Sequence, residues 1–254
     1  MLLEEINILR HHGLQYVPDV SKVELTPLFR GRPVISSGIT PFEADMLKEL
    51  CPTSAISTHG GLQIDLGKCV FCKECQFACP GKIKFTNDYR IASSNREGLI
   101  IREGEDKPLT VDPASVREEI RRMFGRSLKL RQVSAGGDNS CEMELNAAGN
   151  VNFDMGRYGI EFVASPRHAN GIVITGTITE NMSRALQITY DAVPSPKLVI
   201  LVGTDAISGG IFASSPALQR GFLDNIHVDL YVPGNPAHPL TFINGLLDML
   251  GRKA

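Results

Sequence analysis

The sequence lacks a long apolar run, a marked excess of one charge and an N-terminal secretory signal. No stretch approaches the roughly 18–20 apolar residues of a transmembrane helix, so no membrane span is expected. The formal net charge is −2, from 26 Lys and Arg against 28 Asp and Glu. That balance gives no electrostatic reason to expect nucleic acid or an anionic membrane as partner. Six cysteines without a secretory signal fit free thiols in a reducing compartment better than a disulfide framework. A cytoplasmic protein is expected, either free or held at the cytoplasmic face of the membrane through a complex. No catalytic residues are expected either, since no base–nucleophile set stands out. Gly209-Gly210 lacks both the surrounding G-x-G-x-x-G and a Walker lysine, which argues against a nucleotide loop.

What is present is concentrated in one stretch. Cys69, Cys72, Cys75 and Cys79 precede Pro80 in the spacing C-x-x-C-x-x-C-x-x-x-C-P, the run by which bacterial ferredoxins hold iron–sulfur clusters. In two-cluster ferredoxins the cysteine before proline serves the other cluster, so the fourth thiolate is sought upstream. Cys51-Pro52 reads as the tail of a first ferredoxin half. In that half the positions where an intact copy carries thiolates hold Pro41, Ala44 and Leu47, none of which ligates iron. The expectation is one 4Fe–4S cluster on Cys51, Cys69, Cys72 and Cys75, with Cys79 spare or an alternative fourth ligand. A zinc knuckle uses similar Cys pairs, but the crowding of the thiols and the trailing prolines favour iron–sulfur.

Around this stretch, 1–40 reads as an N-terminal extension opening with a short helical pattern (Leu2, Leu3, Ile6, Leu9). His11-His12 resembles a metal pair, but adjacent side chains on a helix diverge, and ordinary surface histidines are the favoured reading. Residues 41–110 are assigned to a single-cluster ferredoxin-like α+β domain, with 41–50 helical. Asp112-Pro113 supplies an N-cap followed by proline at the first helical position. The stripe Val116, Ile120, Met123, Phe124 then predicts a linker helix within 111–126. From 127 to 254 the texture is α/β, with strands at 128–133, 159–163, 171–175, 197–202 and 227–232 and helices at 181–190 and 240–250. Alternation of this kind predicts a mostly parallel sheet, whose ligand sites form at the carboxyl ends of strands. Three loops are thereby singled out: 134–141, 203–210 and 233–238.

Three segments carry a family resemblance: Gly159-Ile-Glu-Phe-Val-Ala-Ser-Pro-Arg-His-Ala169, Ile174-Thr-Gly-Thr-Ile-Thr179 and Pro233-Gly234. They resemble the small subunit of energy-converting nickel–iron hydrogenases and the homologous terminal-cluster subunit of respiratory complex I. The resemblance implies a flavodoxin-like fold, a proximal 4Fe–4S cluster at the sheet's carboxyl edge, and electron exchange with a hydrogenase-like or complex I-like large subunit among other redox subunits. The ligands depart from that family. Only Cys141 remains, and Asp138, Asp205 and Asn235 stand where thiolates are expected. Carboxylates and amides suit harder ions than a cubane's iron, so this second cluster is not expected; ordinary loop residues are favoured over a different metal. The resemblance also marks Glu142, Glu144, Arg167 and His168 as partner-facing or proton-relaying candidates, against plain structural roles. Thr175-Gly-Thr-Ile-Thr179 could cradle phosphate, but the family carries this pattern without flavin, so FMN is not expected. The resulting expectation is a non-catalytic electron-transfer subunit; the alternative is a structural or assembly subunit whose cluster only stabilises the fold.

Overall fold

A computed structural model describes residues 2–12, 16–115 and 118–252. The chain order begins with helix α1 (Leu2–His12), strand β1 (Pro33–Ile35), helix α2 (Pro41–Leu50), and strands β2 (Ile56–Ser57) and β3 (Gln63–Asp65). A short helix α3 (Glu74–Ala78) and strands β4 (Ile83–Phe85) and β5 (Ile100–Arg102) follow. After α4 (Glu118–Phe124) come β6 (Leu128–Ser134), α5 (Ser140–Ala148), β7 (Ile160–Phe162), β8 (Gly171–Thr175) and α6 (Glu180–Ala192). The chain continues through β9 (Leu198–Val202), α7 (Thr204–Ser208), β10 (Leu230–Val232) and α8 (Pro239–Met249).

Strands β6 to β10 form one five-stranded sheet, all parallel, in the spatial order β10-β9-β8-β6-β7. Read from the β7 edge and numbered within this half, that is 2-1-3-4-5, the flavodoxin-like order expected. Strands β8 and β9 are buried at every position and read as unbroken apolar runs because a parallel sheet is covered on both faces. Their side chains alternate between two cores. Val173, Leu198, Ile200 and Val202 join the core built with α5 and α8. Ile172, Ile174, Val199 and Leu201 join the other, with Leu186 of α6. The last strand is shorter than expected: residues 227–229 stay outside the ladder, although Asp229 Oδ2 accepts from Val199 N at 2.8 Å.

Helix α8 is apolar on every side, and all but one of its residues are buried, the pattern of a helix enclosed within a core. Its outer side is covered from the N-terminal stretch. Val20 is fully buried, and Asn244 Nδ2 donates to its carbonyl at 2.9 Å. A side chain at Gly245 would meet Ala92 Cβ at 2.8 Å, so the 89–92 segment also lies directly on this helix.

The cysteine-bearing half contains two small antiparallel sheets, β1–β4 and β2–β3–β5. Helix α2 starts where Thr40 and Glu43 close a capping box. Lys82 Nζ joins it, 2.7 Å from Glu43. Leu47, at one of the lost ligand positions, is fully buried in the core shared with Ile64 and Leu66. The linker is less regular than expected: a 3-10 turn at Pro113–Ser115 precedes α4, with Asp112 Oδ1 accepting from Ala114 N at 2.9 Å. Val116 lies outside the described residues, as do the side chains of Leu2, Leu9, His11 and His12.

Phe242, fully buried, stacks on Phe162 at 6.0 Å between ring centroids. Phe242→Ala is expected to lower stability by about 3–5 kcal/mol through lost burial and a residual cavity, measured by urea denaturation of the full chain.

Candidate iron–sulfur site

The three cysteines that open the C-x-x-C-x-x-C run and their upstream partner are brought to one place. Cys51, Cys69, Cys72 and Cys75 line a single small cavity with Leu47, Ile64 and Phe85. Cys51 follows the last turn of α2, Cys69 and Cys72 lie on the loop after β3, and Cys75 sits in α3. Cys79 is buried but does not line the cavity; its backbone N–H closes onto the Cys75 carbonyl at 3.1 Å.

The backbone around these thiols is turned inward. Phe71 and Lys73 adopt the left-handed conformation, at φ 54° and 70°, uncommon for residues with a Cβ. Alternation of this kind points successive N–H groups at one anion, as in many iron–sulfur loops. Phe71 N–H reaches Cys69 Sγ at 3.3 Å and Ala55 N–H reaches Cys51 Sγ at 3.2 Å. Burial, with the neighbouring Cys75, Cys51 and Cys72, pushes the Cys69 thiol far up, and burial pushes Cys75 to about 11. Thiols crowded in this way deprotonate only when a cation compensates the charge. Among the described residues, no three His, Cys, Asp or Glu side chains gather as a single-ion site requires.

The loop is also held from behind. Asp65 forms a two-point pair with Arg96, at 2.8 and 2.5 Å, and its backbone carbonyl accepts from Cys69 N at 2.9 Å. Arg30 Nη1 donates to the Phe71 carbonyl at 2.9 Å. Thr204 Oγ1, from the start of α7, donates to the Cys69 carbonyl at 2.8 Å. Only Thr204 lay in a loop the sequence singled out; Arg30, Asp65 and Arg96 are ordinary residues whose roles depend on which distant group they meet.

At the carboxyl edge of the parallel sheet, Asp138, Cys141 and Asp205 lie close enough to perturb one another. Cys141 is buried, which pushes its thiol up to about 12, and Ala237 N–H bonds to it. Gly203, at φ 90°, passes so near that a side chain there would meet Cys141 Sγ at 2.4 Å. Asp138 is turned into its own loop: Ser140 hydroxyl and N–H bond to Oδ1 and hold its carboxyl below the usual range. Burial and the nearby Asp138 push Asp205 up, and its Oδ1 is buried without a hydrogen bond. Asn235 lines an adjoining cleft with Phe71, Glu144 and His238, on the loop whose Gly234 carbonyl accepts from Thr204 N at 2.9 Å. Asp138, Cys141 and Asp205 thus share one end of the sheet, with the 233–237 loop closed against Cys141.

The other candidates separate. Glu142 Oε1 accepts from Ser134 Oγ at 2.6 Å and Thr175 Oγ1 at 2.7 Å, a bridge between β6 and β8. Glu144 is half-buried in the cleft beside Asn235, which raises its pKa. Arg167 and His168 lie on a 3-10 turn packed against α6 and β6, both exposed. Just beyond, Asn170 N bonds to the carbonyl of Lys129 at the start of β6. Of the hydroxyls that could have cradled phosphate, Thr175 bonds to Glu142 and Thr177 to the Gly136 carbonyl.

A family model described as the 20 kDa subunit of NADH ubiquinone oxidoreductase matches residues 139–249. The chain is 32% identical over 136 residues to the probable membrane-bound hydrogenase subunit mbhJ of Pyrococcus furiosus, covering 54% of this chain and 81% of that one. It is 35% identical over 160 residues to formate hydrogenlyase subunit 7 of Escherichia coli, covering 62% and 63%. It is 43% identical over 110 residues to a subunit of the NADH-quinone oxidoreductase of Clostridium beijerinckii, covering 43% and 65%. For the last two relatives the match spans less than two thirds of their length.

The cleft supplies a pH prediction. His238 caps α8, its Nδ1 accepting from Leu240 N at 3.2 Å, and burial lowers its pKa to about 4. The unfolded chain takes up this proton near pH 6.5 and the folded chain only near pH 4. Its contribution to stability is therefore complete above pH 6.5 and is lost as pH falls towards 4. His238→Asn keeps a capping acceptor and removes the titration. Comparative denaturation at pH 7 and pH 4.5 should show the native protein losing roughly 2 kcal/mol more than the variant.

Proposed function

Because the chain belongs to the family of the 20 kDa subunit of NADH ubiquinone oxidoreductase, we propose that it is an electron-transfer subunit of a complex I-like or hydrogenase-like oxidoreductase, carrying one 4Fe–4S cluster on Cys51, Cys69, Cys72 and Cys75. The observation that carries the proposal is the convergence of these four thiols, from segments on either side of β2 and β3, on one cavity that excludes Cys79. A cubane is ligated at four separate iron corners, so its thiolates need not gather as they would around a single ion. The cluster supplies one-electron transfer. The chain holds it, turns N–H groups towards the sulfurs and keeps water from Cys69, the terms by which a protein sets a cluster's potential.

In this reading, 41–110 is a single-cluster ferredoxin-like domain that follows the extension 1–40 and is joined through 111–126 to the flavodoxin-like domain 127–254. The carboxyl-edge site at Asp138, Cys141, Asp205 and Asn235 carries no second cluster. The partner is a hydrogenase-like or complex I-like large subunit together with other redox subunits, and the chain sits peripherally at a membrane complex, on its cytoplasmic side. No described helix is long and apolar enough to cross a membrane. A second reading, in which the cluster only stabilises the fold, draws support from the core that the cysteine-bearing half shares with the sheet.

Iron and acid-labile sulfide should each come to about four per chain on anaerobically purified protein. Cys51→Ser, Cys69→Ser, Cys72→Ser and Cys75→Ser should each strip the brown chromophore, while Cys79→Ser should keep it. Retention in Cys51→Ser with loss in Cys79→Ser would reassign the fourth ligand, and about eight irons would restore the second site. A cluster that cannot be reduced without unfolding the protein, by potentiometric EPR, would favour the structural reading.

A further inference from the structure

We propose that the Gly203–Thr204 turn of the parallel sheet is a working part of the four-cysteine site, with Thr204 as a positioning residue that fixes the Cys69 peptide and thereby sets the potential of the redox group held there. The inference rests on the iron–sulfur reading above and concerns a residue that reading does not use. Thr204 is 1% exposed, and its hydroxyl lies 2.8 Å from the Cys69 carbonyl and 3.3 Å from that of Gly234. One hydroxyl proton serves one strong bond at a time, and the shorter contact is to Cys69. The Cys69 peptide is then held at three points: Asp65 carbonyl on its N–H, Thr204 on its C=O, and Phe71 N–H on its sulfur.

A second contact presses the same loop against the same helix. A side chain at Gly67 would meet Ile207 Cγ2 at 2.7 Å and the Arg96 guanidinium carbon at 2.9 Å. The loop preceding Cys69 is therefore wedged between α7 and the Asp65–Arg96 pair, with no room to drift. Cys69 is also the most enclosed of the four cavity-lining cysteines, the others being half-buried. Charge added by reduction on this side is not relieved by water, so the dipoles fixed around Cys69 weigh heavily on it. The Thr204 hydroxyl offsets the negative end of the Cys69 carbonyl. Without it, that oxygen is left buried beside an anionic group, and the more negative, reduced state is disfavoured.

Thr204→Val keeps the shape and removes the donor, whereas Thr204→Ser keeps the donor. Both are made in the full chain, loaded anaerobically with iron and sulfide, checked for folding by circular dichroism and titrated by EPR. The expected result is native iron content in both variants, a midpoint lowered in Thr204→Val and native in Thr204→Ser. Chelator should bleach Thr204→Val at least about fivefold faster than native, the effect of leaving one buried acceptor unsatisfied. Loss of iron from a folded Thr204→Val but not from Thr204→Ser also supports the proposal. A native midpoint in Thr204→Val, or equal change or iron loss in both variants, overturns it. Failure of the native chain itself to hold about four irons would sink the iron–sulfur reading, and with it the role of Thr204 that rests on it.

Discussion

A parallel sheet with two apolar faces cannot stand without cover on both, and that requirement organises this chain. Each buried Leu, Ile or Val on β8 and β9 is worth roughly 1.5–3 kcal/mol only while its face stays dry. One face is closed by α5 and α8, and α8 is itself so apolar that it needs a further layer, which residues 20 and 89–92 supply. The other face is closed by α6, and its core runs on into residues of the cysteine-bearing half, including Leu47, Ile64 and Leu66. The cysteine site thus sits at the end of a continuous packing path that begins in the sheet. Its geometry is anchored to rigid elements rather than to a free loop, which a redox site needs if its potential is to be defined.

Much of this was legible in the sequence. The five strands and the helices after the third and fifth of them were marked by apolar runs of the right length, and a parallel order follows from their alternation with helices. The cysteine spacing grouped Cys69, Cys72 and Cys75, and Cys51-Pro52 pointed to the fourth wall of the same cavity. The shortfalls have local causes. The expected strand at 227–232 is half as long: Asp229 N still donates to the Val199 carbonyl, but Val199 N is taken by the Asp229 side chain rather than by a strand carbonyl. The helix at 112–124 begins as a 3-10 turn, where Asp112 captures Ala114 N–H.

The tertiary hydrogen bonds were not legible at all. Thr204 and Cys69 are separated by 135 residues, Arg96 and Asp65 by 31, and Arg30 and Phe71 by 41. Each joins a common polar residue to a backbone or carboxylate that gives no local pattern. Such pairs are specified by the global fold, and a close approach is hinted at only where a glycine is forced, as at Gly67 and Gly203.

The two cysteine-related regions are best understood together. At the carboxyl edge burial pushes the Cys141 thiol up, Asp138 is bound within its own loop, and burial with the nearby Asp138 raises Asp205. The same edge, through the residue next to Asp205, donates a hydrogen bond to the peptide of Cys69. Thr204 N–H in turn donates to the Gly234 carbonyl at 2.9 Å, so the 233–237 loop, whose Ala237 N–H bonds to Cys141, is tied to the same turn. The sheet edge therefore braces the loop that carries Cys69 through a turn that itself packs beside Cys141.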